Sequence, residues 1–325
     1  MENRSPKARA CRATLAIALL VLGSCQGRKT KTIAVVPKGT SHLFWVAVQA
    51  GALAAGQKFG VQVLWNGPAQ ETEYDRQIQI VDSMIARRVD GLAVAAAERK
   101  ALVQSIDRAS ALGIPVTVFD SGVDTDNYMT FLATNNYEAG KMGARELARL
   151  LDGAGQIAMV MHAPGSASTM DRERGFEEVM GSEFPKIQIV ARQYGLSDPS
   201  KARTAAENIL TAHPDVAGIF ASSEPSSVGT SLALKSRSLA GKVKFVAFDA
   251  SDTMIEDLKG GAIDAMVVQD PFRMGFEAVH TLVQKLRGAR PAKHIDLPAR
   301  VITRADLEKP EVQQLLHPDV KKYLP

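Results

Sequence analysis

From Lys31 onward, short apolar runs alternate with amphipathic segments of roughly 12 to 18 residues, and this alternation occurs in two successive series. In the first, Ile33 to Val36, Val61 to Trp65, Gly91 to Ala95, Val116 to Phe119 and Thr130 to Ala133 read as strands. Leu43 to Phe59, Glu73 to Arg88 and Arg99 to Leu112 read as the intervening helices, with Ile78, Ile80, Val81, Met84 and Ile85 recurring at helical spacing. Gly60, Gly91 and Gly113-Ile114-Pro115 punctuate the returns to strand. In the second series, Ile157 to Met161, Gln188 to Arg192, Ala217 to Ala221, Lys244 to Phe248 and Ala265 to Val268 are strands, separated by helical stretches near 170 to 183, 200 to 212, 225 to 239 and 251 to 260. A helix from Phe272 to Leu286 and an extended stretch from Ile295 to Thr303 complete the pattern. Repeated strand-helix-strand units predict an α/β fold of two doubly wound parallel sheets, hence two lobes with a crevice between them. No low-complexity linker separates the series, so several close crossings of the chain are expected to join the lobes.

The start of the chain has a different character. Arg4, Lys7, Arg9 and Arg12 precede an apolar run, Ala13 to Leu22, that is too short to span a bilayer and leads into Leu22-Gly23-Ser24-Cys25. This junction resembles a bacterial lipoprotein signal; the alternative, an apolar helix retained in the fold, lacks a cap and an amphipathic period. Residues 1–24 would be removed, Cys25 would carry the lipid, and 25–30 would form a tether. The removed segment holds four of the 39 Lys and Arg residues and one of the 35 acids, so the mature chain carries a net charge of +1. That balance gives no electrostatic case for nucleic acid, which requires a concentrated basic face. Cys11 and Cys25 are the two cysteines, so neither a disulfide nor a cysteine metal site is expected in the mature protein.

In open parallel sheets, ligands bind beyond the carboxyl ends of the strands. The residues that follow the predicted strands are therefore informative: Ser41, His42, Phe44 and Trp45; Trp65-Asn66; Asp120-Ser121; Thr134-Asn135-Asn136; His162 with Arg172 and Arg174; Ser222-Ser223-Glu224; Asp249; and Gln269. Carboxylates and amides can take hydroxyls in pairs while an aromatic face covers the C–H side of a ring, so the set suits a polyhydroxylated molecule. Adjacent Phe44 and Trp45 cannot both face inward on one helix. Asp120 could instead make an Asx turn, and Asp249 could cap the helix beginning near Ser251. Of the two arginines, Arg174 is assigned to the crevice and the other to a surface ion pair. His42 and His162 have no partner at metal spacing and read as surface histidines where metal chemistry is concerned.

At these residues the chain resembles the ribose-type (type I) periplasmic sugar-binding proteins that feed ABC importers. The resemblance is carried by Ser41-His42-Leu43-Phe44-Trp45, Ile114-Pro115-Val116-Thr117-Val118-Phe119-Asp120, Arg172-Glu173-Arg174-Gly175, Leu210-Thr211-Ala212-His213-Pro214-Asp215-Val216, Phe248-Asp249 and Val268-Gln269. It implies that Phe44 and Trp45 sandwich a sugar ring, that Asp120 and Asp249 accept hydroxyls from opposite lobes, that Arg174 donates, and that Gln269 contacts the ligand at a hinge. It also implies a three-crossing hinge between residues 31–134 plus 271–299 and residues 135–270 plus 300–325. Ser41, His42, Ser121, Asn135 and Ser223 complete the expected ligand set. The family's ribose binders carry an arginine where Ser121 stands, an aromatic near Ser197 and an asparagine at Ser223, before Glu224. Rhamnose-type and autoinducer-2-type binders share the Asp120-Ser121 continuation and Gly67-Pro68, so they remain alternatives.

The expected partners are a monosaccharide-like small molecule, the permease subunits of an ABC importer, and a membrane reached through the lipid alone. The chain is expected to be a monomer without cofactor, metal or nucleic acid. An enzyme on this fold would need a dinucleotide fingerprint, a phosphate-binding Gly-Lys-Ser/Thr loop or a Gly-x-Ser-x-Gly elbow, none of which occurs. A repressor would carry a helix-turn-helix where the signal stands. A sensor presenting its ligand to a chemotaxis or kinase receptor would share every feature read here.

Overall fold

The computed structural model describes residues 30–324; the signal segment, Cys25 and all but the last residue of the tether lie outside the described residues. The elements run β1 (Thr32–Val36), α1 (Leu43–Phe59), β2 (Gln62–Trp65), α2 (Tyr74–Ala86), β3 (Gly91–Val94), α3 (Val103–Ala111), β4 (Val116–Phe119) and β5 (Thr130–Thr134). Then come α4 (Asn136–Leu150), β6 (Gly155–Met161), α5 (Ala167–Glu183), β7 (Ile187–Tyr194), α6 (Pro199–Ala212), β8 (Gly218–Ala221), α7 (Glu224–Ser236), β9 (Lys244–Phe248), α8 (Asp252–Gly260) and β10 (Ala265–Val268). The chain ends with α9 (Pro271–Leu286), β11 (His294–Leu297), β12 (Arg300–Thr303) and α10 (Pro310–Leu316).

The strands make two six-stranded sheets, ordered β11-β5-β4-β3-β1-β2 and β12-β10-β9-β8-β6-β7. The first is parallel throughout. The second is parallel except at its edge, where β12 runs antiparallel to β10. Both sheets are buried on two faces, as parallel sheets covered by crossover helices must be. Along β1, Ile33 and Val35 enter one core cluster while Ala34 and Val36 enter another. Along β6, Ala158 and Val160 face one cluster and Ile157 and Met159 the other. This period of two comes from the pleat.

Three features depart from the sequence reading. The sequence places a helix start at Arg99, but Glu98 Oε2 accepts from the Lys100 and Ala101 backbone N–H groups, and the resulting turn delays α3 to Val103. The unassigned stretch 136–150 is α4, capped by the Asn135 side chain, which accepts from Glu138 N. The single extended stretch Ile295 to Thr303 is two strands in different sheets, interrupted at Pro298, which has no N–H to donate. The chain thus passes between the sheets three times: after β5, after β10 and between β11 and β12. The two sheets present the carboxyl ends of their strands to each other, and the site lies there.

Candidate functional site

Each strand order reverses beside the first strand of its series, β1 in one sheet and β6 in the other, so loops diverge there and leave a crevice. Asp120 follows β4 and Asp249 follows β9, and both adopt left-handed backbone, with φ of 61° and 69°. An L-residue accepts that conformation at a cost of about 1 kcal/mol, and such residues cluster at functional sites. Asp249 Oδ2 accepts from Glu224 N at 3.1 Å, and its Oδ1 accepts from Gln269 Nε2 at 2.7 Å. Asp120 Oδ2 and Gln269 Oε1 are buried without a hydrogen-bond partner. Burial pushes the Asp120 carboxyl above its usual range, against the opposing charges of Lys38 and Arg172.

Two buried cations balance these acids. Lys38, just after β1, reaches across the crevice to Ser166 Oγ at 3.1 Å and Ser168 Oγ at 3.2 Å, with Asp120 Oδ2 at 3.4 Å. Arg172 on α5 donates through Nε to Asn136 Oδ1 at 2.8 Å and through Nη1 to the Ser222 carbonyl at 2.9 Å, and its guanidinium lies 3.9 Å from the Phe248 ring centroid. Close approach of α4 and α5 holds it there. A Cβ on Gly140 would stand 2.0 Å from the Arg172 carbonyl oxygen, and one on Gly175 would stand 2.2 Å from that of Tyr137.

The third group centres on Glu71, in the loop after β2. Its Oε1 accepts from Trp45 Nε1 at 2.8 Å and lies 3.1 Å from His42 Nδ1, while its Oε2 lies 2.9 Å from His162 Nε2 and 3.6 Å from Lys38 Nζ. Burial would raise the Glu71 pKa, but the Lys38 charge and the two imidazoles outweigh it and hold the carboxyl well below its ordinary range. Nearby, Phe44 N donates to Glu224 Oε2 at 3.2 Å, and burial raises the Glu224 carboxyl. The cavity these groups enclose is about 30 Å³, room for a water and far below the roughly 300–1,000 Å³ of a ligand site, so a larger molecule is admitted only when the two sheets part.

Of the residues expected from sequence, the structure brings His42, Phe44, Trp45, Asp120, Ser223, Asp249 and Gln269 to one cavity. Ser41 is exposed, and exposed Asn135 is spent on capping α4. Ser121 is fully buried beside the cavity, its Oγ accepting from Ser168 N at 3.3 Å. The assignment of the arginines is reversed. Arg174 is on the surface, paired with Asp171 at 2.9 Å and lying over the Tyr137 ring, whereas Arg172 is buried in the cavity wall. Two residues along a helix amount to about 200° of rotation, so only one of the pair can face inward.

Phe44 and Trp45 do not form parallel walls: their rings meet edge to face at 89°, 5.0 Å apart, and Trp45 is 2% exposed within the core. His42 and His162 are not surface histidines, being 8% and 3% exposed. Among the described residues no cluster of three or more His, Cys, Asp or Glu side chains is arranged to hold a metal ion. The sequence reading missed Lys38 and Glu71. Lys38 lies two residues past the end of β1, after Pro37, so inspection of strand ends could have found it; Glu71 sits in a polar loop with Gln70 and Glu73, and nothing local distinguishes it.

Comparison with known proteins agrees with this architecture. A family model described as periplasmic binding protein domain matches residues 33–290. The ribose import binding protein of Bacillus subtilis is 26% identical over 277 residues, covering 85% of this chain and 88% of the relative. A carbohydrate transporter solute binding protein from Agrobacterium radiobacter, solved with D-arabinose, superposes with a TM-score of 0.87 at 30% identity, covering 89% of this chain and 100% of that one. An ABC transporter solute binding protein from Agrobacterium vitis with bound D-fucose gives a TM-score of 0.85 at 33% identity, covering 88% and 100%. Fold, site position and family match together make this chain a member of the periplasmic binding protein family, in its ribose-type (type I) branch.

Proposed function

We propose that the chain captures a monosaccharide or a closely related polyhydroxylated molecule between its lobes and delivers it to an ABC-type importer, acting by closure and not by catalysis. The observation that carries this reading is the pair of buried acceptors that make no hydrogen bond, Asp120 Oδ2, which faces the Lys38 ammonium at 3.4 Å, and Gln269 Oε1, in the lining of a small cavity. Buried acceptors cost free energy until a donor arrives, so they favour a ligand rich in hydroxyls. Phe44 offers an apolar contact on one side, and Lys38 and Arg172 can donate to ligand oxygens. The relatives named for ribose, D-arabinose and D-fucose support the same class.

In this reading residues 31–134 plus 271–299 move as one lobe and 135–270 plus 300–325 as the other, with the three crossings as hinge. The protein works outside the cytoplasm as a monomer, held at the membrane by lipid on Cys25. Among the described residues no helix is long and apolar enough to cross a membrane. A thermal-shift screen against pentoses, hexoses, deoxyhexoses, polyols, nucleosides and autoinducer-2 tests the ligand class, since a ligand that binds only the folded form raises the melting temperature. A shift with one monosaccharide class names the cargo, and no shift across the panel removes the sugar reading. Detergent-phase partition of the expressed protein and of Cys25→Ala tests the anchor: equal partition would remove it.

A further inference from the structure

Two histidines share one carboxylate in the cleft, and their partners call for opposite charge states. His42 Nδ1 faces Glu71 Oε1 at 3.1 Å and its Nε2 faces the Ser197 carbonyl oxygen at 3.0 Å. With Glu71 ionised neither partner can donate, so both ring nitrogens must carry hydrogen and the ring is an imidazolium. His162 Nε2 lies 2.9 Å from Glu71 Oε2, and its Nδ1 lies 2.9 Å from Ser223 Oγ, a hydroxyl that can donate. A neutral ring protonated on Nε2 satisfies both contacts when the Ser223 hydroxyl donates to the ring and accepts from Ser226 Oγ, 3.1 Å away, which then gives up its 3.3 Å bond to the Met161 carbonyl. A charge on His162 would be a third cation, beside Lys38 and His42, on the single Glu71 carboxylate.

All these contacts cross the cleft or depend on one that does. His42, Glu71 and Lys38 lie in loops of the first sheet; His162, Ser197 and Glu224 follow β6, β7 and β8 of the second. Separating the sheets breaks the His42 bond to Ser197, the His162 bond to Glu71, the Lys38 bonds to Ser166 and Ser168, and the Phe44 bond to Glu224. The protein's own side chains therefore latch the cleft, with or without a ligand in it.

We propose that closure is selected by protonation: the closed form requires cationic His42 and neutral His162, so the closed population peaks in a pH window spanning the ordinary imidazole range and falls on both sides. This inference rests on the reading that the cleft opens and closes around a ligand. The environments of the two rings agree with it. Burial disfavours a charged His42, but Glu71 and Glu224 outweigh it and raise its pKa; burial dominates at His162 and lowers its pKa despite Glu71. The charged groups around the pair are Glu71 and Lys38 from the first sheet and Glu224 from the start of α7, with Asp120, Arg172 and Asp249 on the cavity floor.

The two limbs have opposite signs. The raised pKa of His42 makes its contribution to closure complete below the ordinary imidazole value and lost as pH rises through the raised one. The lowered pKa of His162 makes its contribution complete above the ordinary value and lost as pH falls through the lowered one. Glu173 also titrates near this range, but its partners His162 N and Ser222 Oγ belong to its own sheet, so closure does not depend on it.

Small-angle scattering of the ligand-free protein from pH 5 to 9 tests the proposal, with circular dichroism at each pH to separate opening from unfolding. The wild type should be most contracted in the middle of the range and should expand at both ends. His42→Gln should lose the alkaline limb and His162→Gln the acid limb, while Glu173→Gln should keep both. Where D-arabinose binds, its dissociation constant should rise by up to about tenfold per pH unit outside the window. A wild-type radius that does not change with pH, or a variant that keeps the limb assigned to its histidine, overturns the proposal. Because the scattering needs no sugar, a pH window without sugar binding would remove the ligand class and leave the latch, and sugar binding with a flat profile would do the reverse.

Discussion

Asp120 and Asp249 hold the same place in two sheets of the same strand order. Each follows the fourth strand of its series, each has left-handed backbone with φ of 61° or 69°, and each donates its backbone N–H to the neighbouring strand, at Leu132 O and Val267 O respectively. The shared conformation turns a carboxylate from each sheet into the crevice, and the backbone strain that accompanies it belongs to the site and not to the fold.

Asp120→Gly separates these two roles. Glycine accepts positive φ without strain, and the change also removes a buried carboxyl whose Oδ2 makes no hydrogen bond, while Lys38 loses one ion pair but keeps Ser166, Ser168 and Glu71 as partners. The variant should melt at or above the wild-type temperature, yet bind its sugar about tenfold more weakly or worse, given roughly 1.5 to 3 kcal/mol for a hydrogen bond to a charged group. Calorimetry showing unchanged affinity would remove Asp120 from the binding set.

The neighbouring arginines should behave oppositely. Arg172→Ala leaves Asn136 Oδ1 and the Ser222 carbonyl unpaired in a buried site, so a loss of about 2 to 4 kcal/mol in urea unfolding is expected, together with loss of sugar binding. Arg174→Ala removes an exposed pair with Asp171 and should change neither property measurably. A destabilised Arg174→Ala would contradict the placement of α5.

Glu71 ties acid stability to the latch. Its folded pKa is held well below the unfolded value, so its contribution is present above the ordinary carboxylate range and lost as pH falls through the folded pKa. Thermal melts from pH 3 to 7 should therefore show a steeper acid decline in the wild type than in Glu71→Gln. Parallel curves would mean that Glu71 gains nothing from its partners.

Glu173 should act in the other direction. Burial pushes its pKa up to about 7, with Ser222 and the His162 backbone opposing, so the folded protein holds a proton that the unfolded chain has released. Stability is then lost as pH rises from the ordinary carboxylate range through about 7. Glu173→Gln should raise the melting temperature more at pH 8 than at pH 5, and an equal or smaller gain at pH 8 would refute the assignment.

Much of this was legible along the chain because the features are local. Val116 to Phe119 is apolar without a break save Thr117, so it must be a buried strand, and the polar residue that ends it, Asp120, must stand at the sheet's carboxyl edge. The same reasoning located Asp249 and Gln269. It failed at the arginines, where both members of Arg172-Glu173-Arg174 are plausible until the helical phase is known. That phase is set by Gly140 and Gly175, where α4 and α5 pack too closely to admit a side chain.

The sequence by itself determined the two α/β lobes, the crevice at their strand ends and the carboxylates that face it, because period, strand termini and turn residues are properties of neighbouring positions. Only the tertiary structure decided that Glu71 gathers His42, His162, Trp45 and Lys38. Those partners lie up to 91 residues away, and their attraction exists only where burial removes the water that would otherwise screen it.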